Sequence, residues 1–362
     1  MRTIGKLTTC VTLASALGLL ASACSSNGST SSMTTAAVSG SNSCPSAAQN
    51  AAPAVAAPPG YKVCLFAAAT TNANHPDDIR VVGNKVWIGW QNGSAKDGST
   101  TKPSTISEYT TSGKLLKSWS VIGHADGMRM DPATGQMWVT TDEDANPRLY
   151  TINPSGSTPT EYKVPTTSWG GGLDDITFVN GSAFISASNP TLNSAGNNVN
   201  PALVKVTLSG NTAKLTPALM GNAKASTLIP PVSATTLNLT DADSQTVDPQ
   251  GDLVLMSQGD GNLLFVHNPG TAAQKVHVLA VGTQVDDTIW PTSANGCLLV
   301  ADNASGVFSV CSSSWVPGAP ITDSPNDATV ISFVGTLDMS SGQITPLITG
   351  IGNPHGMAFL PR

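Results

Sequence analysis

Aspartates recur in this chain just ahead of short apolar runs, and histidines stand among them. The stretches are His75-Pro76-Asp77-Asp78, His124-Ala125-Asp126, Asp174-Asp175, Asp241-Ala242-Asp243, Asp286-Asp287 and Pro354-His355. Carboxylates and imidazoles gathered in one place can do two kinds of chemistry. They can hold Ca2+ or another divalent cation through several ligands, or they can exchange protons, because crowded carboxylates raise one another's pKa. The metal-ligand candidates are Asp78, Asp126, Asp175, Asp243, Asp287, His124 and His355. An aspartate before a strand is also a good turn residue, so a structural role for the same side chains stands beside the chemical one. Trp169, next to Gly170-Gly171-Gly172, and His75 are candidates for touching a ligand. No catalytic residue is assigned: no GxSxG elbow, HExxH pair or phosphate-binding loop is present.

For these residues to converge, the chain must repeat a structural unit around an axis, and it does. Asp174-Asp175 runs into Ile176–Val179, an Asn180-Gly181 turn and a second apolar run ending at Ser186, which reads as a hairpin. The pattern recurs at Asp77, Asp126, Asp243 and Asp286, and a last copy at His355-Gly356-Met357 stops with the chain. A second hairpin follows in each unit, as in Ile106–Tyr109, Thr111-Ser112-Gly113 and Leu115–Val121. Four short strands at a period of roughly 45 to 50 residues predict a β-propeller of four-stranded antiparallel blades. Six blades are expected, with seven as the alternative. The strand from Tyr61 to Phe66 should complete the blade begun by Met357–Leu360, closing the ring. Within the fifth unit, strand c is either Val307–Val310 or Val330–Leu337.

Tight turns join strands a to b and c to d, whereas the b-to-c connections Gln91–Pro103, Asp142–Arg148 and Ser188–Pro201 are long. The d-to-a connection Gly221–Thr240 falls on the same face as these, so one face of the disc is decorated and should carry function. The aspartates that open each strand a would meet at the channel mouth on that face. Trp87, Trp90 and Trp138 lie on or beside b strands and read as packing between blades.

The N-terminus reads as a signal peptide over residues 1–23, with Arg2 and Lys6 ahead of the apolar Val11–Leu20. Leu20-Ala21-Ser22-Ala23-Cys24 resembles the bacterial lipobox, which implies lipidation of Cys24; ordinary cleavage after Ala23 is the alternative. Residues 24–58, rich in Ser, Thr and Ala, read as a flexible tether, and residues 59–362 as the propeller. Export places Cys44, Cys64, Cys297 and Cys311 in an oxidising compartment; Cys297 and Cys311 flank a hairpin and suit a bridge, leaving Cys44 for Cys64. A net charge of −6 without basic clusters argues against nucleic acid.

With strand a opening on Asp or His-Pro-Asp, and Leu298-Leu299-Val300-Ala301-Asp302-Asn303 as a b strand, the repeats resemble the NHL and gluconolactonase-like six-bladed propellers. That resemblance implies, for the lactonase branch, a divalent cation held at the channel mouth by Glu, Asn and Asp. Here no Glu opens a strand; the chain has only Glu108, Glu143 and Glu161. The expectation is a monomeric, lipid-anchored protein on the periplasmic side or the cell surface, binding an envelope protein or a small molecule on its decorated face. A metal-dependent hydrolase or lyase is the alternative.

Overall fold

The computed structural model describes Cys44 and residues 55–325 and 331–362. The signal peptide, Cys24 and most of the tether lie outside the described residues. Short β-prone runs broken by turn residues fold into six sheets and no helix among the described residues. The sheets are the blades of a six-bladed propeller.

The first blade comprises Pro76–Val82, Lys85–Trp90, Pro103–Thr110 and Leu115–Ile122. The second comprises Ala125–Met130, Met137–Thr141, Arg148–Ile152 and Thr160–Tyr162, and the third Ile176–Val179, Ser182–Ser186, Pro201–Ser209 and Thr212–Met220. The fourth comprises Ala242–Val247, Leu253–Ser257, Asn262–His267 and Lys275–Ala280. Strand a of each blade lies against strand a of the next, and Pro354–Pro361 returns to Pro76–Val82, so the inner strands close a ring.

Each seam between blades is filled by one apolar cluster. Trp87 stacks on Trp119 at 5.0 Å between the first and second blades, and Trp138 meets Phe178 edge-on at 5.3 Å in the next seam. Trp90 is buried between the sixth and first blades. These tryptophans pack, as their strand positions imply; burying a side chain of this size contributes about 1.5–3 kcal/mol or more.

The closing blade is woven differently from the sequence expectation. The fifth blade's strand a is only Thr288–Ile289, and it pairs with Ile321–Ser324, followed by Phe333–Leu337 and Ile344–Thr349. The hairpin Gly296–Asp302 and Gly306–Ser312, expected as strands b and c of the fifth blade, sits in the sixth. There it is flanked by Pro354–Pro361 inside and Lys62–Ala68 outside. Every residue of both hairpin strands is buried, and the hairpin has a neighbour on each edge. Strand c of the fifth blade is thus Phe333–Leu337, within the second of the two expected ranges, and the alternative Val307–Val310 is corrected to strand c of the sixth. Cys297 lies directly opposite Cys311 with Cα atoms 4.0 Å apart, and the two are bonded; Cys64, on the outer strand, is bonded to Cys44. Both disulfides therefore fasten the blade that closes the ring.

Two further details depart from expectation. Gly221–Thr240 is not a plain loop: Lys224–Thr227 and Ala234–Thr236 form a hairpin that extends the fourth blade, pairing in parallel with Lys275–Ala280. The propeller's contacts also begin before residue 59, where Ala56 pairs with Thr349 and Val55 and Ala57 pack on the core.

Candidate functional site

Aligning the inner strands by their neighbours reveals two layers of residues around the axis. The lower layer is Asp78, Gly127, Asp175, Ser244, Asp287 and Gly356, acidic and small in alternation. Each aspartate accepts a backbone N–H from the following blade: Met128 donates to Asp78 at 2.5 Å, Gln245 to Asp175 at 2.9 Å and Met357 to Asp287 at 2.7 Å. The small residues answer the opposite need. A Cβ on Gly127 would overlap Asp175, and one on Gly356 would overlap Asp77, so backbone meets backbone at those seams. Ser244 donates its hydroxyl to Asp286.

One guanidinium bridges the three carboxylates of this layer. Arg80 reaches Asp78 at 2.7 Å, Asp175 at 3.0 Å and Asp287 at 3.6 Å, and donates to the Met128 carbonyl at 2.8 Å. Arg129 adds a contact to Asp175 at 3.6 Å. Arg80 is two residues beyond Asp78, which puts both side chains on one face of the strand. Asp78, Asp175 and Asp287 are thus engaged by Arg80 and by backbone N–H groups. Burial nevertheless pushes Asp287 up to about 7, with Arg80 pulling the other way.

The upper layer is Asp77, Asp126, Asp174, Asp243, Asp286 and His355. His355 Nδ1 lies 2.9 Å from Asp286 and 3.4 Å from Asp77, and Asn353 donates to its Nε2 at 2.8 Å. On the other side, Glu143 descends from the b-to-c loop of the second blade and joins two groups of potential ligands. One is His124, Asp126 and Glu143; the other is Glu143, Asp174 and Asp243. Lys96, from the first blade's b-to-c loop, caps Glu143 at 2.5 Å.

The tautomer of His124 follows from its partners. Nδ1 is 2.7 Å from the Ser94 carbonyl, which can only accept, so Nδ1 carries the proton and Nε2 presents a lone pair. Burial pushes the imidazole down to about 4, so it is neutral at pH 7. That lone pair lies 3.4 Å from Asp126 Oδ1, without a hydrogen bond. Asp126 Oδ2 and Asp174 Oδ2 are also buried without hydrogen-bond partners. Burial, reinforced by neighbouring acids, pushes Asp126, Asp174 and Asp243 well above the usual carboxylate range. Burial acts on Glu143 in the same direction, but the Lys96 ammonium overcomes it and holds that carboxyl low. A lone pair facing carboxylate oxygens suits a cation between them. The first group, with a nitrogen donor, fits a transition metal; the second, all oxygen, fits Ca2+ or Mg2+.

The open space inside the ring is about 10 Å³, room for one water or ion. An organic ligand would have to sit above it. His75 stands outside both groups, exposed, yet its ring meets Asn303 at 3.2 Å, Asn303 donates to Gln91, and Gln91 donates to Asp126. Trp169 lines a separate cavity between the second and third blades. Sequence reasoning passed over Glu143, Lys96 and Gln91, which come from loops; length alone marked those loops as functional.

No protein-family model matches the chain, and no curated protein matches it in sequence. Among solved structures it is similar to the periplasmic gluconolactonase of Pseudomonas aeruginosa, at 11% identity over 79% of this chain and 88% of that one, TM-score 0.46. It is also similar to a Bacteroides caccae protein of unknown function, at 9% identity over 84% and 89%, TM-score 0.44. A third is virginiamycin B lyase from Staphylococcus aureus, at 15% identity over 68% and 88%, TM-score 0.39. The blade count rests on this chain's own strand pairing.

Proposed function

We propose that this is an exported, lipid-anchored propeller of the cell envelope that binds a partner or ligand on its loop-rich face and holds a divalent cation at its channel mouth. The observation that carries the cation is the buried Nε2 lone pair of His124 beside the unpartnered oxygens of Asp126 and Asp174, all around Glu143. The void of about 10 Å³ between the two layers, lined by Asp126 and Asp174 but not by His124 or Glu143, is too small for an organic substrate. A second reading, a metal-dependent hydrolase or lyase, is favoured by the raised proton affinity of Asp126 and Asp174, so that whichever of them is not engaged by the cation could exchange a proton beside it. When bound, the cation would polarise a carbonyl oxygen, and these acids could then give or take a proton.

Calorimetric titration of the chelator-treated protein with Ca2+, Mn2+ and Zn2+ tests the site. Glu143→Gln should abolish binding, because Glu143 belongs to both ligand groups. Lys96→Met should tighten binding by about tenfold, since one competing unit charge near the surface is worth on the order of 1–2 kcal/mol. Wild-type protein that takes up none of the three ions would sink the cation site. Turnover of simple lactones by the metal-loaded protein, lost in Glu143→Gln, would favour the enzyme over the binding protein.

A further inference from the structure

A second site lies apart from the channel, at the rim between the second and third blades. A cavity of about 610 Å³ opens there, its lining including Asn146, Arg148, Glu161, Lys163 and Trp169. A smaller cavity of about 420 Å³ adjoins it and shares Pro165, Thr166, Thr167, Trp169 and Leu215. Trp169 is therefore common to two neighbouring cavities, with part of its surface packed on the core of that seam and part open.

The loop that carries Trp169 is wedged in place. Gly170 and Gly171 have φ of 68° and 67°, in the region that favours glycine. A Cβ on Gly171 would overlap the Ser188 carbonyl, and one on Gly172 the Asp142 carbonyl. The Thr191 N–H donates to the Trp169 carbonyl at 2.7 Å. Arg148 is held as well: it pairs with Asp142 at 2.8 Å and stands 3.7 Å from Glu161. A held aromatic residue and held hydrogen-bonding groups lining one cavity are preorganised for a ligand.

We infer that the cavities beside Trp169 bind an oligosaccharide of equatorially substituted pyranoses. Such a ring offers a flat C–H face to an indole and hydroxyls around its edge, which matches a lining of one aromatic residue and several polar groups. Arg148 and Glu161 stand 3.7 Å apart and offset each other's charge, while Lys163 and Lys214 add ammonium donors to the lining. Two cavities in a row suit successive sugar units. A peptide adding as a strand finds the neighbouring edge already taken, because Lys163 exchanges backbone hydrogen bonds with Asn211 and Ala213. The inference supplies a ligand class for the binding-protein reading and does not depend on the cation.

Calorimetry with chitotetraose and cellotetraose, each in chelator and again with Ca2+, tests it. At least one tetrasaccharide should bind, equally in both conditions, so a failed cation site leaves the result intact. Trp169→Ala should weaken binding by about tenfold or more, while Trp169→Phe retains most of it, as expected when an aromatic face is the contact. Thr166→Arg places bulk in both cavities from an exposed position. It should abolish binding at an unchanged melting temperature, and so decides the matter if Trp169→Ala fails to fold. The inference is overturned if neither sugar binds wild type, if binding survives Thr166→Arg, or if an (Ala-Pro) repeat peptide binds there instead.

Discussion

Arg80 shows how a buried charge can serve as a keystone. Its guanidinium is almost fully removed from water and lies within 3.6 Å of three carboxylates from three blades. Five donors in a planar fork can satisfy several acceptors at once, which a lysine ammonium cannot do in the same geometry. Removing it would leave Asp78, Asp175 and Asp287 to face one another in a dry interior. Arg80→Met should therefore destabilise the fold by about 3–5 kcal/mol, the usual cost of stranding buried ion-pair partners. Urea denaturation would measure this, and a loss under about 1 kcal/mol would show that the arginine is not the common counter-ion. The aspartates themselves were legible in the sequence; Arg80, two residues beyond Asp78, was not read there as their counter-ion. What was not legible is that it leans across the axis to blades distant in sequence, since a strand's periodicity gives a face but not a reach.

Among elements, the inner strands alternate between two ways of meeting. From the first, third and fifth blades a carboxylate accepts the next strand's N–H; from the second and sixth a glycine lets backbones touch, and from the fourth Ser244 donates its hydroxyl to Asp286. The repeat is thus a pair of blades, used three times. Gly127→Ala and Gly356→Ala should each push a strand off its neighbour and cost about 2–4 kcal/mol, within the range for overpacking a rigid seam. Gly135→Ala is the comparison, because a Cβ there meets nothing within 4 Å and only its positive φ opposes it. Thermal melts of the three variants decide the point; equal losses would refute the seam argument. The Gly-Met of residues 127–128 and 356–357 is visible in the sequence, but its meaning needs the neighbouring strand.

At the scale of the whole molecule, the buried acids make stability depend on pH. Burial is the largest cause in each case, pushing Asp77 up to about 8 and Asp287 to about 7, and moving Asp78, Asp126, Asp174, Asp243 and Asp323 in the same direction. A carboxyl whose folded pKa exceeds its unfolded value keeps its proton longer in the native state. Between the unfolded value near 4 and these raised values the native state binds more protons, so stability falls as pH rises. His124, pushed down to about 4 by burial, works the other way, costing stability as pH drops below its unfolded value, but it is one group against several. In chelator, the melting temperature should decline from pH 5 to pH 8. A divalent cation competes with those protons and should raise it more at pH 8 than at pH 5. A flat or rising profile in chelator would contradict this reading.

The chain's local patterns determined the fold on their own. Asn-Gly and Ser-Gly turns between short β-prone runs dictate hairpins, their recurrence dictates blades, and six strand-a copies dictate the number, because these are interactions between residues close in sequence. The convergence of the aspartates followed from that symmetry. Tertiary structure alone decided the rest. It moved the hairpin 296–312 from the fifth blade to the sixth, where two wholly buried strands find partners on both edges in Lys62–Ala68 and Pro354–Pro361. It also divided the acids by depth. Asp78, Asp175 and Asp287 meet Arg80, while Asp126, Asp174 and Asp243 meet Glu143 from a loop whose path no periodicity predicts. Which carboxylates are satisfied and which are left facing a lone pair depends on contacts across the axis, and those exist only once the ring has closed.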